Sequence, residues 1–333
     1  MKKNLIALAV LAASGVASAQ SSVTLYGAAD VWFGGVKSKV GGTSTTQTVI
    51  NSDGVDDSFF GLKGTEDLGG GLKANFVLEQ GYQIDSGAST VGGQAFSRQS
   101  YVGFSSAYGE ARLGKTFTPF DDISGVTTPG FDSALAPTAQ GVWRSTGYNA
   151  NPANTAYYAT PTYSGFSGAV SYSFGEDKNV LGNNKPSRVS SFNVKYANGP
   201  VYAGLAYQAE KTAGTGFTEK FLRLNGSYDF GVAKLLAGYG RVEDVANVNG
   251  NTTTEWQIGA DVPVSSALTL SAGYARSKDD VALGNTKRTG VGIVAHYALS
   301  KRTALYGGLH ASKNNATPAA KTNVYAVGVR HTF

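Results

Sequence analysis

SVTLYGAADVWFG, residues 22–34, alternates its side chains with a period of two. Val23, Leu25, Gly27, Ala29, Val31 and Phe33 share one face, and Thr24, Tyr26, Asp30 and Trp32 share the other. That period predicts a strand about ten residues long with one apolar face. The pattern returns where Phe192, Val194 and Tyr196 alternate with Asn193 and Lys195. It returns again where Leu222, Leu224, Gly226 and Tyr228 alternate with Arg223, Asn225 and Ser227. Trp256, Ile258, Ala260 and Val262 against Glu255, Gln257 and Asp261 make a further case, as do Tyr325, Val327 and Val329 against Arg330 and Thr332. Beyond the N-terminus no segment carries a helical period of useful length.

Composition removes the competing classes. Of 333 residues, 15% are charged and 11% aromatic, too much apolar surface for a disordered chain. With no cysteine there is no disulfide framework. Forty-four glycines beside nine prolines, without a three-residue period, are not collagen. Mean hydropathy is −0.14, and no apolar run of about 20 residues follows the N-terminus, so membrane helices are not expected.

The first 19 residues read as an export signal. Lys2 and Lys3 precede an apolar stretch from Leu5 to Val16, which ends in Ala17-Ser18-Ala19, an A-x-A cleavage site. Cleavage would leave one domain, residues 20–333, with net charge +3. So small an excess gives no reason to expect a nucleic-acid partner.

Between the periodic segments the connections alternate in length. Short ones rich in Gly, Asp, Asn and Ser lie at 67–71, 105–109, 161–165, 197–200, 229–232, 263–267 and 298–301. Longer polar stretches lie near 35–56, 83–96, 118–153, 175–187, 211–219, 243–253, 277–287 and 313–322. Seven short turns and eight long loops leave room for sixteen strands. An even number of long strands, with the long loops all on one side, fits an all-β transmembrane antiparallel barrel of the bacterial outer membrane. The face opposite the apolar one carries Lys, Arg, Glu, Asp and Asn within the strands. Those groups are costly in the dry core of a sandwich but suit a water-filled lumen. Hydrocarbon outside demands that every backbone polar group be paired, and so demands closure.

The chain resembles the Gram-negative general porins of beta-proteobacteria. The resemblance rests on SSVTLYGAAD (21–30), FGLKGTEDLGGGLKANFVLE (60–79), RQSYVGFSS (98–106), TPTYSGFSGAVSYSF (160–174), ALSKRTALY (298–306) and VGVRHTF (327–333), in order along the whole mature chain. It implies a sixteen-stranded homotrimer in the outer membrane, a passive diffusion channel for small hydrophilic solutes and ions, with the third long loop folded into the lumen. It implies no cofactor. It also implies that the terminal Phe333 is read by the outer-membrane assembly machinery.

A pore selects by width and by rings of charge. The longest connection, 118–153, holds Asp121, Asp122 and Asp132 with Pro119, Pro129 and Pro137, and stands where the family has its constriction loop. Facing it the family places basic residues. Taking Tyr101 and Gly103 as lipid-facing turns Arg98 inward, where it matches one family arginine; Lys63 faces inward and Lys115 ends its strand just before the loop. Phe59 and Ala153 stand where relatives often carry arginine, so the basic side is either thinner than theirs or rebuilt with Lys63, Arg112, Lys115 or Arg144. Tyr26, Asp30, Glu79, Arg112, Lys195, Arg223 and Arg330 are expected to line the lumen by parity, with Glu255 and Asp261. A substrate-specific channel is the first alternative, and a barrel enzyme or adhesin the second. For the enzyme, only His296, His310 and His331 are available, none spaced as a metal pair. The acid pairs Asp56/Asp57, Asp121/Asp122 and Asp279/Asp280 could hold Ca²⁺ only unspecifically.

Overall fold

The computed structural model describes residues 22–130, 133–177, 186–214, 217–280 and 282–333. The export segment and Asp132 lie outside them. Seventeen strand segments form one antiparallel sheet that closes on itself. The first is β1 (Ser22–Val40), followed by β2 (Thr43–Ser52), β3 (Phe59–Gly69), β4 (Leu72–Gly81), β5 (Gln99–Ser106) and β6 (Gly109–Lys115). Then come β7 (Thr155–Ala159), β8 (Phe166–Phe174), β9 (Arg188–Asn198), β10 (Val201–Lys211), β11 (Glu219–Asp229) and β12 (Lys234–Glu243). The sheet ends with β13 (Thr252–Pro263), β14 (Leu268–Asp279), β15 (Lys287–Ala298), β16 (Thr303–Asn314) and β17 (Ala320–Thr332). Seventeen segments fill sixteen positions, because β2 pairs with residues 31–40 of β1 and β3 with residues 22–28. The expected sixteen-stranded barrel is what the chain forms.

The stretch expected to be a long loop at 35–56 is corrected. Residues 35–40 and 43–52 are a strand pair that turns at Gly41 and Gly42, both at positive φ. Polar residues fall on both of its faces, as in Ser44-Thr45-Thr46-Gln47-Thr48, so neither period nor hydropathy marks it. The break at 53–58 between β2 and β3 is built around Asp30. The Asp30 carboxylate accepts N–H bonds from Gly54, Val55 and Asp56 at 2.9–3.0 Å, and the Tyr306 hydroxyl donates to it as well. Asp30 is fully buried, so it clamps this bend and does not line the lumen as expected.

Closure runs from β17 to β1, from Ala28 opposite Thr332 to Val40 opposite Ala320. One step beyond, Gly27 and Phe333 exchange both backbone hydrogen bonds at 3.1 Å. A side chain at position 27 would collide with the Phe333 ring, so the glycine gives the last residue its seat.

The period of two sorts the faces as read. Val23, Leu25, Leu224, Ile258 and Val327 are exposed toward hydrocarbon, while Asn193, Arg223, Glu255 and Gln257 are buried inside. One facing is corrected. Tyr101 and Gly103 point inward, and Val102 and Phe104 point outward. The strand starts only at Gln99, so Arg98 is not part of its alternation and turns inward from the preceding loop.

Asp30→Ala would strip the acceptor from the Asp56 N–H and from three buried donors, the Gly54 and Val55 N–H groups and the Tyr306 hydroxyl, each buried loss costing about 1–3 kcal/mol. The expected result is a lower temperature for conversion of the folded to the unfolded band on electrophoresis without boiling. An unchanged temperature would contradict the clamp.

Candidate pore constriction

In the connection between β6 and β7, residues 116–130 and 133–154 enter the barrel and lie along its inner wall. Its short helix α1 (Asp121–Ser124) is held by Asn193, whose amide donates to the Pro119 carbonyl at 2.7 Å, and by the Asn225 amide, which donates to the Ile123 carbonyl. Phe120 and Ile123 pack on Ala206, Phe221 and Val242 of β10–β12. Further along, Leu135 packs on Trp32, Val294, Tyr306 and Val324, and Trp143 on Ala275. The wall beneath is glycine. A Cβ at Gly259 or Gly273 would overlap Pro129, one at Gly290 the Pro137 carbonyl, and one at Gly292 the Leu135 carbonyl. Removing these side chains lets a second layer of backbone lie against the sheet.

A buried polar chain fastens the end of this loop. Arg223 donates to the Ser124 carbonyl and to Ser145 Oγ at 2.8 and 2.7 Å, and its guanidinium sits 4.6 Å from the Trp143 ring centroid. Glu255 accepts the N–H groups of Arg144 and Ser145 and the Ser145 hydroxyl. Arg144 then reaches Asp279 with two bonds of 3.0 Å, and Arg288 takes the same carboxylate with two of 2.8 Å. The bonds to Asp279 hold the Arg144 guanidinium above its ordinary pKa. Arg223 and Glu255, read as lumen-lining, are buried under the loop and anchor it. Arg144 also serves the anchor and is no part of the opposite wall.

Across the lumen, the wall from β1 to β7 carries a row of cations, three of them laid on aromatic rings. Lys63 Nζ lies 4.5 Å from the Tyr26 ring centroid. Arg98 lies 4.6 Å from Phe59 and 5.2 Å from Phe117. Arg112 sits between Tyr101 and Tyr157, at 5.0 and 4.8 Å. Lys115 Nζ donates to the Asn151 carbonyl at 2.6 Å, and the Asn151 amide donates to the Arg98 carbonyl at 2.9 Å, so these two cations meet at one residue of the loop. Each arginine also has carboxylate partners on its own wall: Asp57 and Glu79 for Arg98, and Glu110 for Arg112. Burial opposes charge on Arg98, but Asp57 and Glu79 prevail and raise its pKa. Tyr26 donates to Glu79 at 2.7 Å.

The acids of the loop are oriented by tyrosines. Tyr148 donates to Asp121, and Tyr157 and Asn193 donate to Asp122 at 2.9 and 3.1 Å. Tyr157 therefore joins the two sides, bonding Asp122 while its ring carries Arg112. Lys195 is half-buried on the inner face, and Arg330 pairs with Asp56. His331 is exposed and hydrogen-bonded to Thr303 at 2.9 Å.

This geometry coincides with what comparison finds. A family model described as Gram-negative porin matches residues 6–317. The chain belongs to that family. Outer membrane porin protein 32 of Delftia acidovorans is 36% identical, over 99% of this chain and 95% of that protein. An outer membrane porin protein of Bordetella pertussis is 32% identical over the full length of both. Among solved structures, the anion-selective porin from Comamonas acidovorans superposes with a TM-score of 0.81 at 30% identity, covering 94% of this chain and all of that one. The protein is thus an outer-membrane porin, a channel and not an enzyme.

Sequence reasoning missed Tyr101 and Tyr157 as ring platforms and Asp57, Glu110 and Ser145 as partners. Gly259→Val would push Pro129 off the wall into the lumen. Single-channel conductance should fall, with a strain of about 1–3 kcal/mol in barrel stability. Unchanged conductance would contradict the packing of the loop on this wall.

Proposed function

We propose that the constriction of this porin lies between Asp121 and Asp122 on the inner loop and the row Lys63, Arg98, Arg112 and Lys115, and that it passes small hydrophilic solutes and ions with weak charge preference. The carrying observation is local neutralisation. The row's four cations share their wall with Asp57, Glu79 and Glu110, and the loop adds two further carboxylates. Four positive and five negative groups leave a transverse field with little net charge, which orients dipolar solutes without excluding either ion. Arg112, braced by two tyrosines, takes up the role that Phe59 and Ala153 leave open.

The apolar outer face supports assembly as a homotrimer in outer-membrane lipid, and the seat of Phe333 at the closing seam supports its reading by the assembly machinery. The relative from Comamonas is anion-selective; the carboxylates around Arg98 and Arg112 support a weaker preference here.

Bilayer recording under a salt gradient tests this. Wild type should give large steps and a reversal potential near zero. Arg98→Ala should move the potential toward cation preference by releasing Glu79 and Asp57, and Glu79→Gln should move it the other way. A wild-type potential close to the limit for one ion would overturn the proposal, as would flux that saturates with one solute.

A further inference from the structure

Three carboxamides hold the first part of the inner loop against the wall, and all three are turned the same way. Asn193 of β9 donates to the Pro119 carbonyl at 2.7 Å, Asn225 of β11 to the Ile123 carbonyl, and Gln257 of β13 to the Thr127 carbonyl at 3.1 Å. The anchors stand on every second strand, and the carbonyls they hold are four residues apart. A carbonyl only accepts, so each NH2 group must face the loop and each carboxamide oxygen must face away from it. Those oxygens, Asn193 Oδ1, Asn225 Oδ1 and Gln257 Oε1, accept no hydrogen bond from the described residues. Their residues are only 2%, 6% and 1% exposed. The hydroxyls of Thr127, which is fully buried, and of Tyr202 are likewise without a partner among the described residues.

An unsatisfied buried acceptor costs about 1–3 kcal/mol, and the wall leaves room for a small partner. Register puts Gly238 of β12 opposite both Asn225 and Gln257, and Gly204 of β10 opposite Asn225 on its other side. A Cβ on Gly238 would lie 3.1 Å from the Gln257 carboxamide and 3.3 Å from Asn225 Oδ1, so the two anchors border one gap. A Cβ on Gly204 would lie 2.9 Å from the Tyr202 hydroxyl and 3.3 Å from Ile123, so that hydroxyl and the loop border a second. Further along, the seat differs. Pro129, Leu135 and Pro137 lie directly on glycine backbone, and Trp143 on Ala275.

We propose that residues 119–127 rest on a row of buried waters bound by Asn193, Asn225, Gln257, Thr127 and Tyr202. A water carries two O–H donors, which two neighbouring carboxamide oxygens lack, and its own oxygen accepts from a Thr127 or Tyr202 hydroxyl. Two to four polar partners hold a buried water, and such a bridge is nearly as favourable as a direct hydrogen bond. Carboxamide oxygens also suit a monovalent cation. Arg223 opposes one, because its buried guanidinium stands two residues from Asn225 on the same face of β11. The helix α1, with Asp121 and Asp122, is thus seated through solvent, while the later part of the loop is seated on protein. The row lies behind the loop, so it does not depend on the charge pattern of the constriction.

Diffraction from crystals of the purified protein, at a resolution that shows ordered solvent, tests this. A water oxygen should stand within hydrogen-bond distance of both Asn225 Oδ1 and Gln257 Oε1. A gap bare of density, or a protein donor turned onto these oxygens, would overturn the proposal. So would an anomalous signal there after a rubidium soak, which would mark a cation site. Stability gives a second reading. Thr127→Val removes, at nearly constant volume, a hydroxyl that no described residue bonds. With water on that hydroxyl, the variant should convert from the folded to the unfolded band at a lower temperature than wild type. A bare buried hydroxyl is destabilising, so its removal would raise that temperature. A raised or unchanged temperature therefore contradicts the proposal. Should Thr127→Val fail to fold, Tyr202→Phe carries the same comparison with the same signs.

Discussion

In hydrocarbon no water is present to satisfy a free backbone N–H or C=O, and each such group costs several kcal/mol. The whole protein depends on that constraint. It makes β17 pair with β1, and it sets Phe333 in register with Gly27 at the seam. Once the sheet is closed, a strict period of two sends alternate residues to lipid and to water. The faces differ so sharply because they meet different solvents, and near-neutral hydropathy is their average.

Closure alone gives a tube; the inner loop gives it a waist. Residues 116–130 and 133–154 are a second layer of backbone inside the first, and two devices hold them there. Glycines on β13–β15 remove the side chains that would keep the layers apart. Arg223, Glu255 and Asp279, buried by the loop, meet its carbonyls, amides and Arg144. Charges of this kind are expensive to bury and are tolerated because each finds partners. On the opposite wall Lys63, Arg98 and Arg112 lie over rings whose faces attract them.

The barrel was legible because its signals are local and repeated. Parity along 22–34 sorted Tyr26, Asp30 and Trp32 from Leu25 and Phe33 correctly, and the spacing of turns reached the right number of staves. The site was legible in part. Asp121, Asp122, Arg98 and Lys115 could be singled out only because the chain resembles a family, since no local pattern tells a loop to fold inward. Arg98 faces inward for a reason other than parity, because its strand begins one residue later than parity assumes. Asp57 and Glu79 reach Arg98 from 41 and 19 residues away, a pairing that no spacing shows. The glycines of the inner wall look like turn or filler residues until a second backbone lies on them. Asp30, Arg223 and Glu255 have the expected parity but different duties, because parity gives the face and not what later covers it.

Residues 116–130 and 133–154 lie against the inner wall of the barrel, and the chain's lack of cysteine allows a direct test. Ser145 Oγ stands 3.2 Å from where a Cβ on Gly240 would be, a separation suited to a disulfide. Oxidised Ser145→Cys/Gly240→Cys protein should form an internal disulfide almost completely and still conduct in bilayers. Two free thiols that react at once with a bulky membrane-impermeant reagent from the long-loop side would contradict the account.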